Sequence, residues 1–270
     1  MSKTDIQIAK EAALKAKEII QYYDKNRDKL NMAHKGRHDL VTKADVETEK
    51  EIISIIKTYR PDDVILGEET SAGQQTGQER TWIIDPIDGT TNFAHAFPVY
   101  CVSIALYENQ EPLLGVILEV NSGELFHAES GKGAFLNNEP ISVSTAEQPE
   151  DALLGTGFPY RDISLIDDYL KLFRRFMKET HGVRRPGSAS YDLACVAAGR
   201  IDGFYEYSLA PWDVAAGACI IKEAGGFVCD WEGETNWLEG ERIIAGNTQI
   251  SEYILKCIKE EIPEKFWVKS

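Results

Sequence analysis

Carboxylates stand at the ends of two short apolar runs in the first third of the chain. Glu68 follows a run of Val, Ile and Leu, and Asp85 follows a run of Trp and Ile. Both runs are typical of buried strands, and ligands often lie at the carboxyl ends of such strands. Asp88 comes three residues after Asp85, so a tight turn there would present both carboxylates and the Ile87 carbonyl to one ion.

Four further positions extend this pattern. Gly89 has no Cβ, so a ligand can approach its backbone closely. Thr90 follows, and a helix that starts there would turn free N–H groups toward an anion. Asp213 opens a predicted helix far along the chain, and Asp45 lies in the first turn of another. Taken alone, each of these two aspartates is simply interpreted as a helix cap.

Converging carboxylates require cations. Two bare charges about 4 Å apart repel by roughly 4 kcal/mol at an effective dielectric constant near 20. An all-oxygen ligand set favours Mg²⁺ or Mn²⁺ over zinc, and we interpret the five histidines as structural residues. Mg²⁺ beside a helix N-terminus suits the transfer of a phosphoryl group to water. Spacing alone does not bring Glu68, Asp85 and Asp213 together, so their convergence is a hypothesis.

The elements that would position these residues form two different patterns. Before residue 147 the pattern predicts helices and an antiparallel meander: helices over 5–30 and 42–57, strands over 64–66 and 82–84, and meander strands over 99–107, 112–120, 124–128 and 133–136. After it, strands alternate with helices: strands over 152–156, 203–207, 227–230 and 242–246, and helices over 163–180, 189–199, 213–224 and 248–260. We expect a layered α/β protein with halves 1–147 and 148–270, and a surface loop from Thr70 to Arg80.

Composition excludes several classes of function. The 270 residues carry 29 Lys and Arg against 44 Asp and Glu, a net charge of −15, which argues against binding to nucleic acid. No apolar run approaches the roughly 20 residues of a membrane helix, and the first ten residues do not resemble a signal peptide. The five cysteines form no CxxC pair and lie in apolar stretches, so we expect buried, reduced thiols. These features predict a cytoplasmic protein without membrane partners.

The motifs resemble those of the inositol monophosphatase family, with the closest likeness to its bacterial members. The most specific is Trp82-Ile-Ile-Asp-Pro-Ile-Asp-Gly-Thr-Thr-Asn-Phe93, and matching segments in order bring nearly the whole chain into the resemblance: 39–45, 66–69, 187–189, 202–206 and 212–226. The resemblance implies a five-layer α-β-α-β-α sandwich, a homodimer, and inhibition by Li⁺ and Ca²⁺. One departure is a shorter segment around Lys35, which leaves the role of that loop toward a third metal open.

The resemblance also implies a set of metal ligands. Glu68, Asp85 and the Ile87 carbonyl would hold a first Mg²⁺, and Asp85, Asp88 and Asp213 a second. Glu68 would contribute to a weaker third ion, so it counts among the catalytic residues as well. Two to three Mg²⁺ ions per site are implied, with Mn²⁺ as a possible substitute.

Catalytic and substrate roles follow from the same resemblance. Thr90, paired with Asp45, would orient the metal-bound water that attacks phosphorus. The backbone of Gly89 and Thr90 would cradle the phosphate. Contacts with substrate hydroxyls are implied for four residues: Asp88, Ala189, Glu206 and Asp213. Arg184, in an Arg-Arg pair, would face a second phosphate, a dimer neighbour or solvent.

The predicted activity is Mg²⁺-dependent hydrolysis of a small phosphate monoester, foremost an inositol monophosphate. NADP and fructose 1,6-bisphosphate are alternative substrates within the same superfamily, although Glu206 would repel a second phosphate and accept hydrogen bonds from hydroxyls. The spacing Asp85-x-x-Asp88 disagrees with phosphatases of the haloacid dehalogenase type, which need Asp-x-Asp. A non-catalytic regulatory protein on this fold is the alternative from a different class.

Overall fold

Seven α-helices and fourteen β-strands make up the computed structural model, which describes residues 3–30, 33–36, 39–70, 79–160 and 162–267. The helices are α1 (Asp5–Lys25), α2 (Lys43–Tyr59), α3 (Thr90–Ala94), α4 (Ile166–Glu179), α5 (Ala189–Ala197), α6 (Pro211–Glu223) and α7 (Thr248–Glu261). The strands are β1 (Ala33–Gly36), β2 (Asp39–Val41), β3 (Val64–Gly67), β4 (Thr81–Asp88), β5 (Cys101–Glu108), β6 (Glu111–Glu119), β7 (Leu125–Glu129), β8 (Ala134–Leu136), β9 (Glu139–Ile141), β10 (Leu153–Thr156), β11 (Gly182–Arg184), β12 (Gly203–Tyr207), β13 (Phe227–Cys229) and β14 (Arg242–Gly246). Most of the predicted loop 70–80 lies outside the described residues, as does the side chain of Lys35.

The strands form two mixed sheets and one hairpin. The first sheet has seven strands in the order β3-β4-β5-β6-β7-β8-β9, parallel only between β3 and β4. The second has five strands in the order β11-β10-β12-β14-β13, with β10 parallel to both of its neighbours. Strands β1 and β2 pair as a separate antiparallel hairpin. The meander and the strand–helix pattern therefore correspond to different sheets.

Helices α1 and α2 cover one face of the seven-stranded sheet. Trp82 and Ile84 of β4 pack with these helices, whereas Ile83 between them packs on the opposite face. That alternation is the period of two expected of a strand. The face of α1 that meets the sheet is rich in alanine, as at Ala12 and Ala16, which lets the helix lie close to it.

Helices α5 and α6 fill the space between the two sheets. Both are apolar almost all round, as expected for helices buried on every side. Close approach depends on small residues: a Cβ built on Gly115 of β6 would lie 2.5 Å from the Ala216 carbonyl oxygen, and one built on Gly217 would lie 2.4 Å from the Leu193 Cβ. Helix α6 is thus pressed against β6 on one side and α5 on another.

Helices α4 and α7 cover the far face of the five-stranded sheet. Tyr205 and Ile244 pack with these helices, while Phe204 and Ile243 face the central layer. The order of layers is therefore helices, sheet, helices, sheet, helices, which confirms the predicted α-β-α-β-α sandwich. The sheet changes between Ile141 and Leu153, but the division into halves 1–147 and 148–270 stays a prediction.

Several predicted boundaries were wrong. Helix α1 ends at Lys25 rather than at residue 30, because Asn26 leaves the helical conformation and a 3₁₀ turn follows. Helix α6 begins two residues earlier than predicted, because Pro211 occupies its first turn. Four short strands were missed, each of three or four residues with at most two apolar positions: β1, β2, β9 and β11.

Among the described residues, no helix combines the length and the apolar character that a membrane span requires. The five cysteines are buried inside the layers, as predicted.

Candidate active site

Strand β4 turns two carboxylates toward one point. Asp85 pairs with Ser103 and Asp88 with Cys101, so three steps along β4 match two along β5. This extra residue is a bulge, and it places two side chains on one face that a regular strand would point to opposite faces. Pro86 has no N–H to donate to the ladder, which explains why pairing lapses there. The predicted tight turn between Asp85 and Asp88 was therefore wrong, because these residues belong to an irregular part of β4.

Asp213 reaches the same point from α6. One oxygen from each of Asp85, Asp88 and Asp213 lies within 4.8 Å of the other two. Asp213 is the third residue of α6 and not its cap: its Oδ2 accepts a hydrogen bond of 2.7 Å from the backbone N–H of Ala210, which is the N-cap residue. Asp213 thus satisfies the helix end from the third position of α6 and not from the N-cap position of the simple interpretation, and it also joins the two carboxylates of β4.

The carboxylates perturb one another strongly. Burial raises the pKa of Asp85 well above its usual value, and the neighbouring charge of Glu68 raises that pKa further, followed by those of Asp88 and Asp213. Burial also raises the pKa of Asp88. Glu68 therefore lies close enough to act on Asp85, although it is not one of the three clustered aspartates.

This donor set fits a hard divalent cation. All of the clustered groups offer oxygen, and bringing them together without a cation favours protonation over charge. Oxygen ligands of this kind suit Mg²⁺, Mn²⁺ or Ca²⁺ rather than zinc. A divalent ion would offset the burial of these charges and the repulsion that, after burial, raises the pKa of Asp85.

Thr90 and Asp45 lie together as predicted. The Thr90 hydroxyl is 3.2 Å from Asp45 Oδ1 and 3.0 Å from the Ile87 carbonyl oxygen, and its single proton can serve only one of them at a time. Asp45 is fully buried on α2, and its Oδ2 accepts hydrogen bonds from the Thr42 backbone N–H at 2.8 Å and the Thr42 hydroxyl at 2.6 Å. Burial raises the pKa of Asp45 to about 6.

A shell of donors that the sequence analysis missed holds Asp88. Its Oδ2 accepts hydrogen bonds from the Ser188 hydroxyl at 2.8 Å, the Ser190 backbone N–H at 2.6 Å and the Ser190 hydroxyl. Asn92 anchors the segment before Ser188, because its Nδ2 donates to the carbonyl oxygens of Val99 at 2.8 Å and Pro186 at 2.9 Å. Asn92 and Ser188 lie within the motifs 82–93 and 187–189, and Ser190 follows the second motif directly.

Gly89 has to be glycine. Its φ is +97°, and a Cβ built there would lie 3.0 Å from the Val99 carbonyl oxygen. The left-handed conformation directs the backbone from β4 into α3, which brings Thr90 back over Ile87.

The predicted substrate contacts line one cavity of about 100 Å³. Ala189 and Glu206 line it together with Asp88 and Asp213, so the structure brings all four predicted residues to one place. Their roles toward a substrate remain predictions.

Two other residues line this cavity. Arg185, the second residue of the Arg-Arg pair, lines it with its guanidinium carbon 5.3 Å from the ring centre of Tyr160. Both arginines are exposed, and Arg184 bonds to the Val183 carbonyl. Asp192 was missed by the sequence analysis. It also lines the cavity, and its signal was the three-residue spacing from Ala189, which puts both on one face of α5.

A five-layer sandwich with an acidic, all-oxygen cluster between its layers defines a class of layered proteins equipped to bind divalent metal ions. Within that class, the chain belongs to the inositol monophosphatase family, whose family model matches residues 1–263.

Relatives agree with this assignment over the full length of the chain. The Nus factor SuhB of Pseudomonas aeruginosa is 42% identical over 262 residues, which are 96% of this chain and 97% of that protein. The crystal structure of the extragenic suppressor protein suhB from Bartonella henselae is 38% identical with a TM-score of 0.89, covering 95% of this chain and 99% of that one. The inositol monophosphatase from an Anabaena (Nostoc) species is 37% identical with a TM-score of 0.84, covering 98% and 100%.

Proposed function

We propose that this protein is a Mg²⁺-dependent hydrolase of small phosphate monoesters, with an inositol monophosphate as the foremost substrate. The observation that carries the proposal is the meeting of Asp85, Asp88 and Asp213 within 4.8 Å, next to the hydrogen-bonded pair Thr90 and Asp45. Family membership and the inositol monophosphatase relative support the same conclusion.

The ligands for the metal would be those that the sequence indicated. Glu68, Asp85 and the Ile87 carbonyl would hold one ion, and Asp85, Asp88 and Asp213 another, with Glu68 shared by a weaker third. When bound, Mg²⁺ lowers the pKa of a coordinated water and stabilises charge on the leaving oxygen.

Thr90 and Asp45 would move the proton. As the oxygen of water bonds to phosphorus, its proton passes to Thr90 Oγ1, and the Thr90 proton passes to Asp45 Oδ1. The ester P–O bond breaks, and the leaving alcohol takes up a proton from solvent. Asp45 can accept the Thr90 proton only when Asp45 is a carboxylate, whereas burial favours the neutral form of Asp45. The free N–H groups near Gly89 and Thr90 would hold the phosphate.

The cavity would hold the alcohol part of the substrate. Asp88, Ala189, Glu206 and Asp213 line it, and carboxylates accept hydrogen bonds from hydroxyls but repel a second phosphate. Among the described residues that line this cavity, Arg185 is the one that would supply a positive charge.

The direct test is phosphate release at fixed Mg²⁺ from inositol 1-phosphate, NADP and fructose 1,6-bisphosphate. We expect the highest kcat/KM for inositol 1-phosphate and complete loss of activity after chelation. Faster phosphate release from NADP or fructose 1,6-bisphosphate would contradict the proposed substrate but not the proposed metal site. Activity that survives exhaustive chelation would overturn the mechanism.

A variant of one ligand separates chemistry from folding. Asp88→Asn should lower kcat at least about 100-fold, because the amide is a neutral ligand for the cation while its oxygen can still accept from Ser188 and Ser190. The matched control is Asp167→Asn on the exposed side of α4, which should leave kcat unchanged. Circular dichroism should show both variants folded, and full activity of Asp88→Asn would contradict the ligand assignment.

A second candidate function is that of a Nus factor, the name given to the P. aeruginosa relative. Identity of 42% over 96% of this chain favours it. Replacing the gene by the Asp88→Asn version in the source organism distinguishes the two functions. If the inactive protein rescues a deletion of the gene, the deletion phenotype reflects a non-catalytic role. If only the wild-type gene rescues the deletion, the phenotype reflects loss of hydrolysis.

Three further properties remain predictions: a homodimer, inhibition by Li⁺ and a cytoplasmic location. Sedimentation of the purified chain tests the first, and a Li⁺ titration of phosphate release tests the second.

A further inference from the structure

Asp192 is a buried acid in the wall of the cavity with an unmet hydrogen-bonding group. The residue is only 2% exposed, and among the described residues no donor reaches its Oδ1. Buried carboxyl oxygens nearly always have a partner, so an oxygen without one requires an explanation.

The surroundings of Asp192 favour a neutral carboxyl. Burial raises its pKa well above the usual value, the charges of Glu206 and Asp88 raise that pKa further, and Arg185 lowers it. A neutral carboxyl can both donate and accept a hydrogen bond. Asp192 therefore offers a hydroxyl two kinds of contact, whereas a carboxylate offers only one.

Two glycines of the strand segment beside α5 leave room for the acids of this wall. A Cβ built on Gly155 would lie 2.9 Å from Asp192 Oδ1, and one built on Gly157 would lie 1.7 Å from Glu206 Oε1. Any larger residue at these positions would displace a carboxyl group. The backbone thus accommodates two acids side by side in the same cavity.

We propose that Asp192 is a specificity-determining residue of the cavity, which forms hydrogen bonds with hydroxyl groups on the alcohol part of the substrate and so selects phosphate monoesters of polyols. The inference rests on the proposed function and deepens it. A bound polyol can form a hydrogen bond with the side of Asp192 that lines the cavity, which an apolar alcohol cannot do. A second phosphate would meet the charge of Glu206 instead.

A purely structural role makes the opposite prediction. Asp192 lies in the first turn of α5, where a negative charge is favourable. If that were its use, an apolar replacement would destabilise the protein and affect all substrates alike. If it serves the substrate, removing an unsatisfied buried acid should leave the stability unchanged or raise it.

The test compares Asp192→Leu, a substitution of similar shape, with Asp192→Asn, which keeps a donor and an acceptor. Each is assayed with inositol 1-phosphate and with phenyl phosphate, whose alcohol has no further hydroxyl. For Asp192→Leu we expect KM for inositol 1-phosphate to rise at least about tenfold, with kcat and the values for phenyl phosphate changed less than about threefold. Asp192→Asn should stay within about threefold of the wild type on both substrates. The Tm of Asp192→Leu should equal or exceed that of the wild type.

Each other result has a definite meaning. Equal losses on both substrates, a lowered Tm, or an unchanged KM for inositol 1-phosphate would overturn the role of Asp192 while leaving the hydrolase intact. A wild-type protein that hydrolyses phenyl phosphate but not inositol 1-phosphate would also contradict the role of Asp192 without contradicting hydrolase activity. A wild type that hydrolyses neither would overturn the proposed function, and this inference with it. If Asp192→Leu does not fold, Asp192→Ala removes the carboxyl without added bulk and undergoes the same comparison.

Discussion

Asp45 is a buried side chain whose charged form would destabilise the folded protein, although the proposed proton transfer requires that form. It is fully buried on α2, and burial raises its pKa to about 6 despite hydrogen bonds from Thr42. A carboxyl with a raised pKa prefers to be protonated in the folded state. Its contribution to stability is therefore fully present below the pKa of the unfolded chain, near 4, and is lost as the pH rises through about 6.

This sign gives a prediction for the metal-free protein. Relative to Asp45→Asn, the free energy of unfolding of the wild type should fall by about 2 kcal/mol between about pH 4.5 and pH 7. Urea denaturation of both proteins after chelation, at each pH, measures the difference. Because Asn does not titrate, the other acids cancel in the comparison. A difference that does not change with pH would show that Asp45 titrates normally.

At the scale of residues, the sequence predicted those site residues that lie close together along the chain. Asp85 and Asp88 belong to one short motif, so their closeness along the chain needed no tertiary information, although their common face depends on the bulge. The donors to Asp88 are different: Ser188 and Ser190 lie 100 residues away or more, and no local pattern distinguishes them from ordinary helix-start serines. Asp192 was missed for a related reason, because a polar residue on a predicted helix is usually exposed.

At the scale of elements, the bulge in β4 and the placement of α6 decide the geometry of the site. The bulge turns Asp85 and Asp88 to one face, and α6 must approach the sheet closely for Asp213 to meet them. Gly115 permits this approach, since a Cβ there would lie 2.5 Å from the Ala216 carbonyl oxygen. The sequence predicted the apolar run of β4 but not the bulge, since whether a strand resumes after Pro86 depends on pairing with β5.

Gly115→Ala should therefore disturb both stability and metal binding. The new methyl group meets a backbone oxygen, which cannot yield without moving α6, and overpacking of this kind costs about 1–3 kcal/mol. Because α6 carries Asp213, we also expect weaker Mg²⁺ binding, seen as a smaller rise in Tm when Mg²⁺ is added.

Gly203→Ala is the matched control for this substitution. A Cβ on Gly203 would meet only side-chain atoms at short range, Ile254 Cδ1 at 2.7 Å and Ile250 Cγ2 at 2.9 Å, and not a backbone oxygen. It should cost less stability than Gly115→Ala and leave the rise in Tm with Mg²⁺ unchanged. Equal effects of the two substitutions on metal binding would contradict the link between Gly115 and Asp213.

At the scale of the whole molecule, the central layer of α5 and α6 packs against both sheets and so connects the two halves of the chain. The pattern change near residue 147 marks a change of sheet, whereas the order of the layers was implied by the resemblance to the inositol monophosphatase family. The pattern change could not show that α5 and α6, from the second half, cover the inner face of the first sheet, where Ile83 and Ile117 contact them. The metal cluster is shared in the same way, since Asp213 comes from the second half and Asp85 from the first.

We therefore expect the two halves not to fold independently. The full chain should unfold in one cooperative transition, with equal calorimetric and van't Hoff enthalpies. The fragment 1–147 should bind a hydrophobic dye and show no cooperative transition, because its sheet lacks the helices that bury one face. Mixing it with the fragment 148–270 should restore the transition if the two halves complement each other as layers. A sharp cooperative transition of the fragment 1–147 alone would show that α1 and α2 suffice to stabilise the seven-stranded sheet, and that the first half is a domain in its own right.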